Sequence, residues 1–351
     1  MDVKWKLGVL LALAVSAGLL LGVVGSAGSD VETRPWKDLP DPPLSPRELP
    51  AGFWTGEEVV LVGGSDAPPC PPNASCAVPK TPPLSDGAAF DPKSGTWRSI
   101  ADAPVAFSWA YPVVVGSTAY LWVTGEAPRP QAPSAFLAYR IDDDRWDELT
   151  MPTGDPDAYS LITDGQRIVA YSWGDEPREI PDLVLDPTSE TWSELPDDPL
   201  SPGFDRVMRW SGHELLLFDH ELVDDPGGEL PLRGAALDLA SGEWRVLDDP
   251  EAGLARTGGT SQEDDFVNAG SVGESHAEYR LRSGIVLDET TGTRLRMPEL
   301  EPIESAYGGT TDVTAGMDLF VFLGSSWDEG GEPGELVGEL RSEAWLWSPR
   351  R

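Results

Sequence analysis

The feature of this chain that most constrains its fold is a phrase that recurs at a nearly fixed distance. Each copy contains an apolar residue, a turn-forming hexapeptide and a Trp. The copies are Phe90–Trp97, Tyr139–Trp146, Leu185–Trp192, Leu237–Trp244 and Leu287–Arg294, where Arg replaces the last Trp. Successive Trp positions are 49, 46, 52 and 50 residues apart, counted from Trp97 to Arg294. A period near 50 residues is typical of a propeller built from four-stranded blades.

Each unit is predicted to be a meander of four antiparallel strands. The first strand ends in a tight turn at Gly56, Gly116, Gly165 and Gly212, where a hairpin requires a positive φ. Apolar second strands follow at residues 59–64, 119–124, 168–173, 214–218 and 319–323, with a weak sixth candidate near Phe266. The recurring phrase forms the hairpin between the third and fourth strands, because its Asp, Pro, Ser and Gly residues favour turns. Six second strands predict six blades.

The two ends of the repeat region belong to one incomplete unit. Residues 36–46 repeat the outer-strand pattern of residues 192–202, although no blade precedes them. Residues 344–348 match a third strand, and the chain stops where the fourth strand would begin. The N-terminal strand is therefore predicted to complete the last blade, so that residues 36–351 form a six-bladed propeller without an open sheet.

On these residues the chain resembles the kelch-type β-propellers. The resemblance rests on the double glycine Gly63 and Gly64, on the aromatic-Asp pair at residues 90–91, and on the recurring Trp. The Trp position is occupied by Trp36, Trp97, Trp146, Trp192 and Trp244. The resemblance implies an all-β fold in which the glycines form turns and the tryptophans pack between blades. It implies an architecture and no chemistry.

Residues 1–27 have the composition of an export signal. Lys4 and Lys6 precede an uncharged apolar run over residues 7–24, and small residues follow at Gly25 and Ala27. The run is also long enough to span a membrane, so a cleaved signal peptide and an uncleaved signal anchor remain alternatives. Both place the propeller outside the cytoplasm, because the lysines stay inside. Residues 28–35 form a linker, and membrane contact is expected only through residues 7–24, if they are retained.

The only two cysteines, Cys70 and Cys76, lie in a Pro-rich insertion over residues 67–83. An even number of cysteines on one exposed loop of an exported chain predicts a local disulfide. Two thiols without a nearby His are too few for a metal site. The stapled loop, which includes the glycosylation triplet at Asn73, is predicted to project from one face of the ring.

The charge and the histidines exclude several functions. Sixty acidic and 25 basic residues give a net charge of −35, which disfavours a nucleic-acid partner and predicts a solvated acidic surface. The Asp-rich runs lack the spacing of a calcium loop. His213, His220 and His276 form no cluster with Tyr and Cys, so the copper site of galactose oxidase, a kelch-like enzyme, is not expected. We therefore assign no catalytic, cofactor or metal residues from the sequence.

Tryptophans are the candidates for ligand contact. Those on first or second strands, near the central channel, are interpreted mainly as packing residues: Trp54, Trp109, Trp122, Trp173 and Trp210. Trp327 lies in the glycine-rich segment 324–334, which is predicted to be a loop. It is the best single candidate for contact with a ligand.

Taken together, these features favour a non-catalytic extracytoplasmic binding module that presents a loop-lined propeller face to a protein or glycan partner. One alternative is a sugar-active enzyme, since some exported kelch-like propellers that this chain resembles in size isomerise sialic acids. Its candidate arginines are Arg206, Arg209, Arg233 and Arg256. A second alternative is a structural spacer of the cell envelope.

Overall fold

The chain folds into a series of small antiparallel β-sheets. A computed structural model describes residues 35–71, 76, 80–124, 134–152, 159–172, 180–200, 203–221, 231–250, 277–280, 285–288, 293–296, 298, 300, 307–316, 318–330 and 336–348. The predicted signal segment 1–27 lies outside these residues. No helix in the described part of the chain combines the length and the apolar character that crossing a membrane requires.

The strands follow the predicted meander, in chain order. A short N-terminal strand, β1 (Lys37–Asp38), comes first. Sheet 1 contains β2 (Ala51–Trp54), β3 (Val59–Val62), β4 (Gly87–Asp91) and β5 (Thr96–Ile100). Sheet 2 contains β6 (Ala110–Val115), β7 (Thr118–Val123), β8 (Ala135–Arg140) and β9 (Arg145–Leu149), with a 3-10 turn at Ile141–Asp143. Sheet 3 contains β10 (Tyr159–Thr163), β11 (Ile168–Ser172), β12 (Leu183–Asp186) and β13 (Thr191–Glu194).

The remaining strands form the second half of the chain. Sheet 4 contains β14 (Gly203–Trp210), β15 (Leu215–Glu221), β16 (Leu232–Asp238) and β17 (Glu243–Val246). Sheet 5 contains β18 (Ala277–Arg280), β19 (Ile285–Asp288) and β20 (Thr293–Arg296). The last strands are β21 (Tyr307–Gly308), β22 (Thr311–Ala315), β23 (Asp318–Phe322), β24 (Ser325–Glu329), β25 (Leu336–Leu340) and β26 (Ala344–Trp347).

The N-terminal strand completes the last sheet, as the sequence predicts. Sheet 6 has the order β1-β26-β23-β22, and Lys37 pairs with Leu346 while Asp38 pairs with Trp345. The first strands of successive sheets lie side by side: β2 contacts β22 and β6, and β10 contacts β6 and β14. Sheets from the two ends of the chain therefore pack together, which is consistent with a β-propeller-like arrangement.

The hydrophobic core lies between the sheets, because sheets 1 to 4 and sheet 6 bury side chains on both of their faces. Representative buried residues are Phe53, Val60 and Tyr139 between sheets 1 and 2, Leu61, Phe90 and Phe320 between sheets 6 and 1, Trp122, Ile168 and Leu185 between sheets 2 and 3, and Val169, Leu217 and Leu237 between sheets 3 and 4. Each such side chain contributes about 1.5–3 kcal/mol when it is fully buried. No sheet can keep that contribution without its neighbours.

The repeat tryptophans bind the sheets to one another through their indole N–H groups. Four of the five donate to a main-chain carbonyl just beyond the outer strand of the preceding sheet. The pairs are Trp97 with Pro40 at 2.8 Å, Trp146 with Ala101 at 2.8 Å, Trp244 with Pro196 at 2.9 Å, and Trp36 with Pro298 at 2.9 Å. In four of the repeats, one polar atom thus adds a directional contact to the apolar packing.

The glycine turns have the predicted backbone conformation. Gly56, Gly116, Gly165 and Gly212 have φ values of 98°, 60°, 87° and 93°. The double glycine at 63–64 also has positive φ, and a Cβ at Gly63 would lie 2.6 Å from the Phe107 ring. Both the conformation and the close approach of that ring require glycine there.

Two expectations differ from the structure. The strand that pairs with β19 in sheet 5 is β18, not the segment near Phe266, which lies outside the described residues. The segment predicted as a glycine-rich loop contains β24, which forms a small separate sheet with β25 and β21. Glycines at both ends of β24 give the sequence the appearance of a loop, while the pairing partner lies further along the chain.

Candidate functional site

In sheets 1 and 6, the connections between second and third strands contact the segments that lead into the first strands of sheets 1 and 2. We call this region the loop face and define it by the described residues 44–50, 63–71, 76, 80–86, 101–109, 323–330 and 336–343. Main-chain hydrogen bonds bind these segments together: Glu48 and Ser65 exchange bonds at 2.8 and 2.9 Å, and Gly64 donates to Phe107 at 2.8 Å. The side chain of Ser325 also donates to Glu48 at 2.5 Å. The loop face is therefore a connected platform across sheets 1 and 6.

Arg47 is the buried anchor of this platform. Its side chain is 0% exposed and forms a two-pronged ion pair with Asp86, at 2.7 and 2.9 Å. It also donates to the carbonyls of Gly63 and Ser45, at 3.1 and 2.9 Å. The hydrogen bond from Arg47 holds the pKa of Asp86 below its usual value. A planar guanidinium suits such a site, because it directs several donors in fixed directions.

The predicted disulfide is present on the loop face. Cys70 and Cys76 are bonded, with their Cα atoms 5.9 Å apart. Residues 72–75, including the Asn73 triplet that fits a glycosylation sequon, lie outside the described residues. A disulfide is compatible with a location outside the cytoplasm.

Trp327, the sequence candidate for ligand contact, is a buried residue of β24. Only 4% of its surface is exposed, and it lies directly opposite Gly338 of β25. A Cβ on Gly338 would overlap the indole ring, so the missing side chain makes room for Trp327. The indole N–H has no hydrogen-bond acceptor among the described residues. Its proposed contact with a ligand stays a prediction.

The exposed large apolar side chains are concentrated on the loop face. Among the described residues they are Trp109 at 37% exposed, Leu336 at 38%, Val337 at 54% and Val246 at 58%. The first three belong to the loop face, whereas Val246 lies on the outer strand of sheet 4. Sequence reasoning placed Trp109 among the packing residues and missed Leu336 and Val337. The register of β25, which turns Val337 to solvent, could not be derived without its pairing partner.

The other candidate tryptophans are packing residues or lie outside the described range. Trp122 is 1% exposed and contacts the rings of Phe136, Tyr159 and Trp192. Trp54 and Trp210 pack partly buried against the clusters between sheets. Trp173 lies outside the described residues.

Two of the candidate arginines are committed to ion pairs. Arg206 is 6% exposed and pairs with Asp182 at 2.5 Å and with Asp198 at 3.2 Å. Arg233 pairs with Asp219 at 2.8 Å. Burial raises the pKa of Asp219, and the hydrogen bond from Arg233 opposes this rise. Arg256 lies outside the described residues.

The remaining candidate arginine, Arg209, belongs to β14, which is the first strand of sheet 4. The first strands of a propeller line its channel. β14 contacts β10, the first strand of sheet 3, and Ser160 of β10 lies directly opposite Tyr171 of β11. Burial raises the pKa of Tyr171, while the backbone of Met208, the Ser160 hydroxyl and the charge of Arg209 lower it. Hydroxyl, phenol and guanidinium groups from sheets 3 and 4 therefore lie close together.

Neither the histidines nor the carboxylates form a metal centre among the described residues. His213 is exposed, while His220 stacks on Phe204 with ring centroids 5.6 Å apart. His276 lies outside the described residues. In the Asp142–Asp144 run, Asp144 accepts the Tyr139 hydroxyl at 2.7 Å, so that run includes a structural carboxylate.

One acidic side chain on a first strand has an unusual environment. Asp312, on β22, is partly exposed, and desolvation raises its pKa to about 7. The expectation from sequence was that the acidic residues are solvated, and Asp312 departs from it.

No known protein family and no curated protein matches this sequence.

Proposed function

We propose that the chain is an exported six-bladed kelch-type β-propeller that acts as a non-catalytic binding module outside the cytoplasm. Sheets 1 to 6 would be the six blades, and the hydrogen bond from Trp36 to Pro298 would help to close the ring between the fifth and the sixth. The loop face would hold a protein or glycan partner, whose identity is open.

The observation that carries this proposal is the position of the exposed apolar side chains. Three of the four that are described, Trp109, Leu336 and Val337, lie at the loop face. Exposed apolar groups on a rigid, polar-rimmed platform are typical of binding surfaces. The ion pair of Arg47 and the Cys70–Cys76 disulfide support the same face, because they hold it rigid.

A site-specific photo-cross-linker tests a protein partner. Placed at Val337 in the full chain, in its native envelope, it should give a discrete cross-linked product. The same cross-linker at Val246 is the matched control, since both valines are more than half exposed but belong to different sheets. Equal products from the two positions, or none from Val337, would count against a protein partner.

A thermal-shift screen tests a glycan partner. The purified chain is heated with simple sugars, sialic acids and cell-envelope glycans. A ligand at a hundredfold its dissociation constant stabilises the folded state by about 2.7 kcal/mol. Trp109→Ala should abolish the shift and Val246→Ser should preserve it. If neither assay detects a partner, the binding proposal fails and the spacer alternative gains.

A sugar-active enzyme is the second candidate, and the grouping of Ser160, Tyr171 and Arg209 favours it. Such a cluster can bind a carboxylate and transfer protons on a sugar. The ion pairs of Arg206 and Arg233 weigh against it, since these arginines are already paired with carboxylates. Unchanged anomer interconversion of free sialic acid, followed by NMR in the presence of the protein, would remove this candidate.

A further inference from the structure

The first strands of the sheets line a space that solvent enters. Among the described residues, the second strands β3, β7, β11, β15 and β23 are buried except at their ends. The first strands β2, β6, β10, β14 and β22 each keep partly exposed residues. They also lie side by side, with β2 next to β22 and β6, and β10 next to β6 and β14. We call the space on their exposed side the channel.

Few charged side chains belong to these first strands. β14 carries Asp205, Arg206 and Arg209, β22 carries Asp312, and β2, β6 and β10 carry none. Arg206 is buried in its ion pairs, and Asp205 lies 3.9 Å from His220. Asp312 is the carboxyl group on these strands that has no basic partner among the described residues.

Asp312 emerges from an apolar face of sheet 6. Strand register places it opposite Val321 of β23, and Val321 opposite Trp345 of β26, and both of these side chains are buried. The face is turned away from sheet 1, since the next residue, Val313, packs between sheets 6 and 1. Desolvation raises the pKa of Asp312 to about 7, opposed only by a hydrogen bond from its own backbone N–H. A carboxylate in such surroundings is destabilised unless a cation accompanies it.

A second polar group on the same face also lacks a partner. Thr314 lies two residues beyond Asp312, about 6.6 Å along the strand. It is 4% exposed, and its hydroxyl has no hydrogen-bond partner among the described residues. Buried polar groups are nearly always hydrogen-bonded, so these two side chains indicate a site that the chain alone does not complete.

Other ionisable groups near β22 do not share this environment. Asp318 of β23 lies opposite Ala315 and therefore on the other face of the sheet. The neighbouring first strand β2 has no ionisable side chain. Asp38 lies on the same face as Asp312, but on the outer strand, three strand spacings or about 14 Å away. Among these elements, a charge that stabilises the Asp312 carboxylate is absent.

We propose that Asp312 binds the ammonium group of a small ligand that enters the channel. The carboxylate would accept one ammonium N–H, and the Thr314 hydroxyl would accept a second. A primary ammonium suits the site, because it carries a single positive charge and three donors. A divalent metal ion needs more oxygen ligands, and no such group exists among the described residues. The site lies in the channel and is independent of the partner proposed for the loop face.

Calorimetric titration of the full chain with n-butylammonium chloride tests the proposal. Butan-1-ol, a neutral molecule of the same length, and sodium chloride are the control ligands. We expect saturable binding of the ammonium and none of the controls. Because the ammonium binds the ionised carboxyl group, affinity should be about tenfold higher at about pH 8 than at about pH 6. Binding at about pH 7 should release about half a proton, measured by repeating the titration in buffers of different ionisation enthalpy.

Three variants make the test specific. Asp312→Asn keeps the size of the side chain and should abolish the binding and its pH dependence, while the thermal midpoint at about pH 8 is no lower than that of the wild type. Asp318→Asn is the matched control, because Asp318 belongs to the adjacent strand but lies on the other face. Its binding should equal that of the wild type. Thr314→Val removes the second acceptor and should weaken binding about threefold.

Four results would overturn the proposal. They are equal binding by wild type and Asp312→Asn, an affinity that does not change with pH, equal binding of butan-1-ol, and no heat of binding at about 10 mM n-butylammonium. None of them bears on the loop face, which the cross-linker at Val337 tests separately.

Discussion

Replacing Arg47 by Met should be among the most costly single substitutions on the loop face. The guanidinium is fully buried and donates to Asp86, to the Gly63 carbonyl and to Ser45. Breaking a buried ion pair typically costs 3–5 kcal/mol, because the remaining partner is left unpaired. The Asp86 side chain is 45% exposed and regains water, so we expect the lower end, about 3 kcal/mol.

The pH dependence of that cost follows from Asp86. Its pKa is lowered in the folded state by the Arg47 hydrogen bond, so the stabilisation is present above the unfolded pKa near 3.8 and is lost as the pH falls through the folded value. The cost of Arg47→Met should therefore be largest near neutral pH and shrink below about pH 4.

Urea unfolding followed by Trp fluorescence measures both effects. Arg145→Met is the control, since Arg145 is 57% exposed and pairs only at the surface, where little stability is at stake. A loss below about 1 kcal/mol at neutral pH, or an equal loss at about pH 3, would refute the reasoning.

Three further substitutions test other features. Trp97→Phe removes the indole hydrogen bond to Pro40 and should cost about 1 kcal/mol in urea unfolding; no loss would show that the bond between sheets is dispensable. Gly338→Ala places a Cβ against the Trp327 ring and should lower stability by about 1–3 kcal/mol, whereas an unchanged thermal midpoint would mean that the hairpin shifts freely. Desolvation raises the pKa of Asp312, so wild-type stability should fall as the pH rises from about 4 to 7. Asp312→Asn should then be the more stable protein above that range but not near pH 4, and parallel curves for the two proteins would contradict the desolvation of this carboxyl group.

Local patterns allowed much of the fold to be predicted from the sequence. The turn glycines, the third-strand hairpins and the outer strands depend on residues close together in the chain, and these elements are present in the structure. The pairing of β1 with β26 was also predictable, because residues 36–46 copy an outer strand that has no sheet before it.

Features that depend on contacts between distant residues could not be predicted in the same way. The ion pair of Arg47 with Asp86 joins residues 39 positions apart, and neither belongs to the repeat. The hairpin of β24 and β25 interrupts the repeat, so no other copy predicts its register. Trp327 is buried because of Gly338 on the partner strand, and the sequence around Trp327 alone carries no sign of this.

The pairing of β1 with β26 also affects how the molecule can be made. Lys37 and Leu346 are 309 positions apart, counted from 37 to 346, so β1 finds its partner only after synthesis has reached residue 346. Contacts of such long sequence separation slow folding and leave strand edges exposed in the meantime. A chain that ends before residue 344 would leave β1 without its partner and sheet 6 without two strands. Assembly of this sheet therefore requires that the polypeptide has been made at least as far as β26.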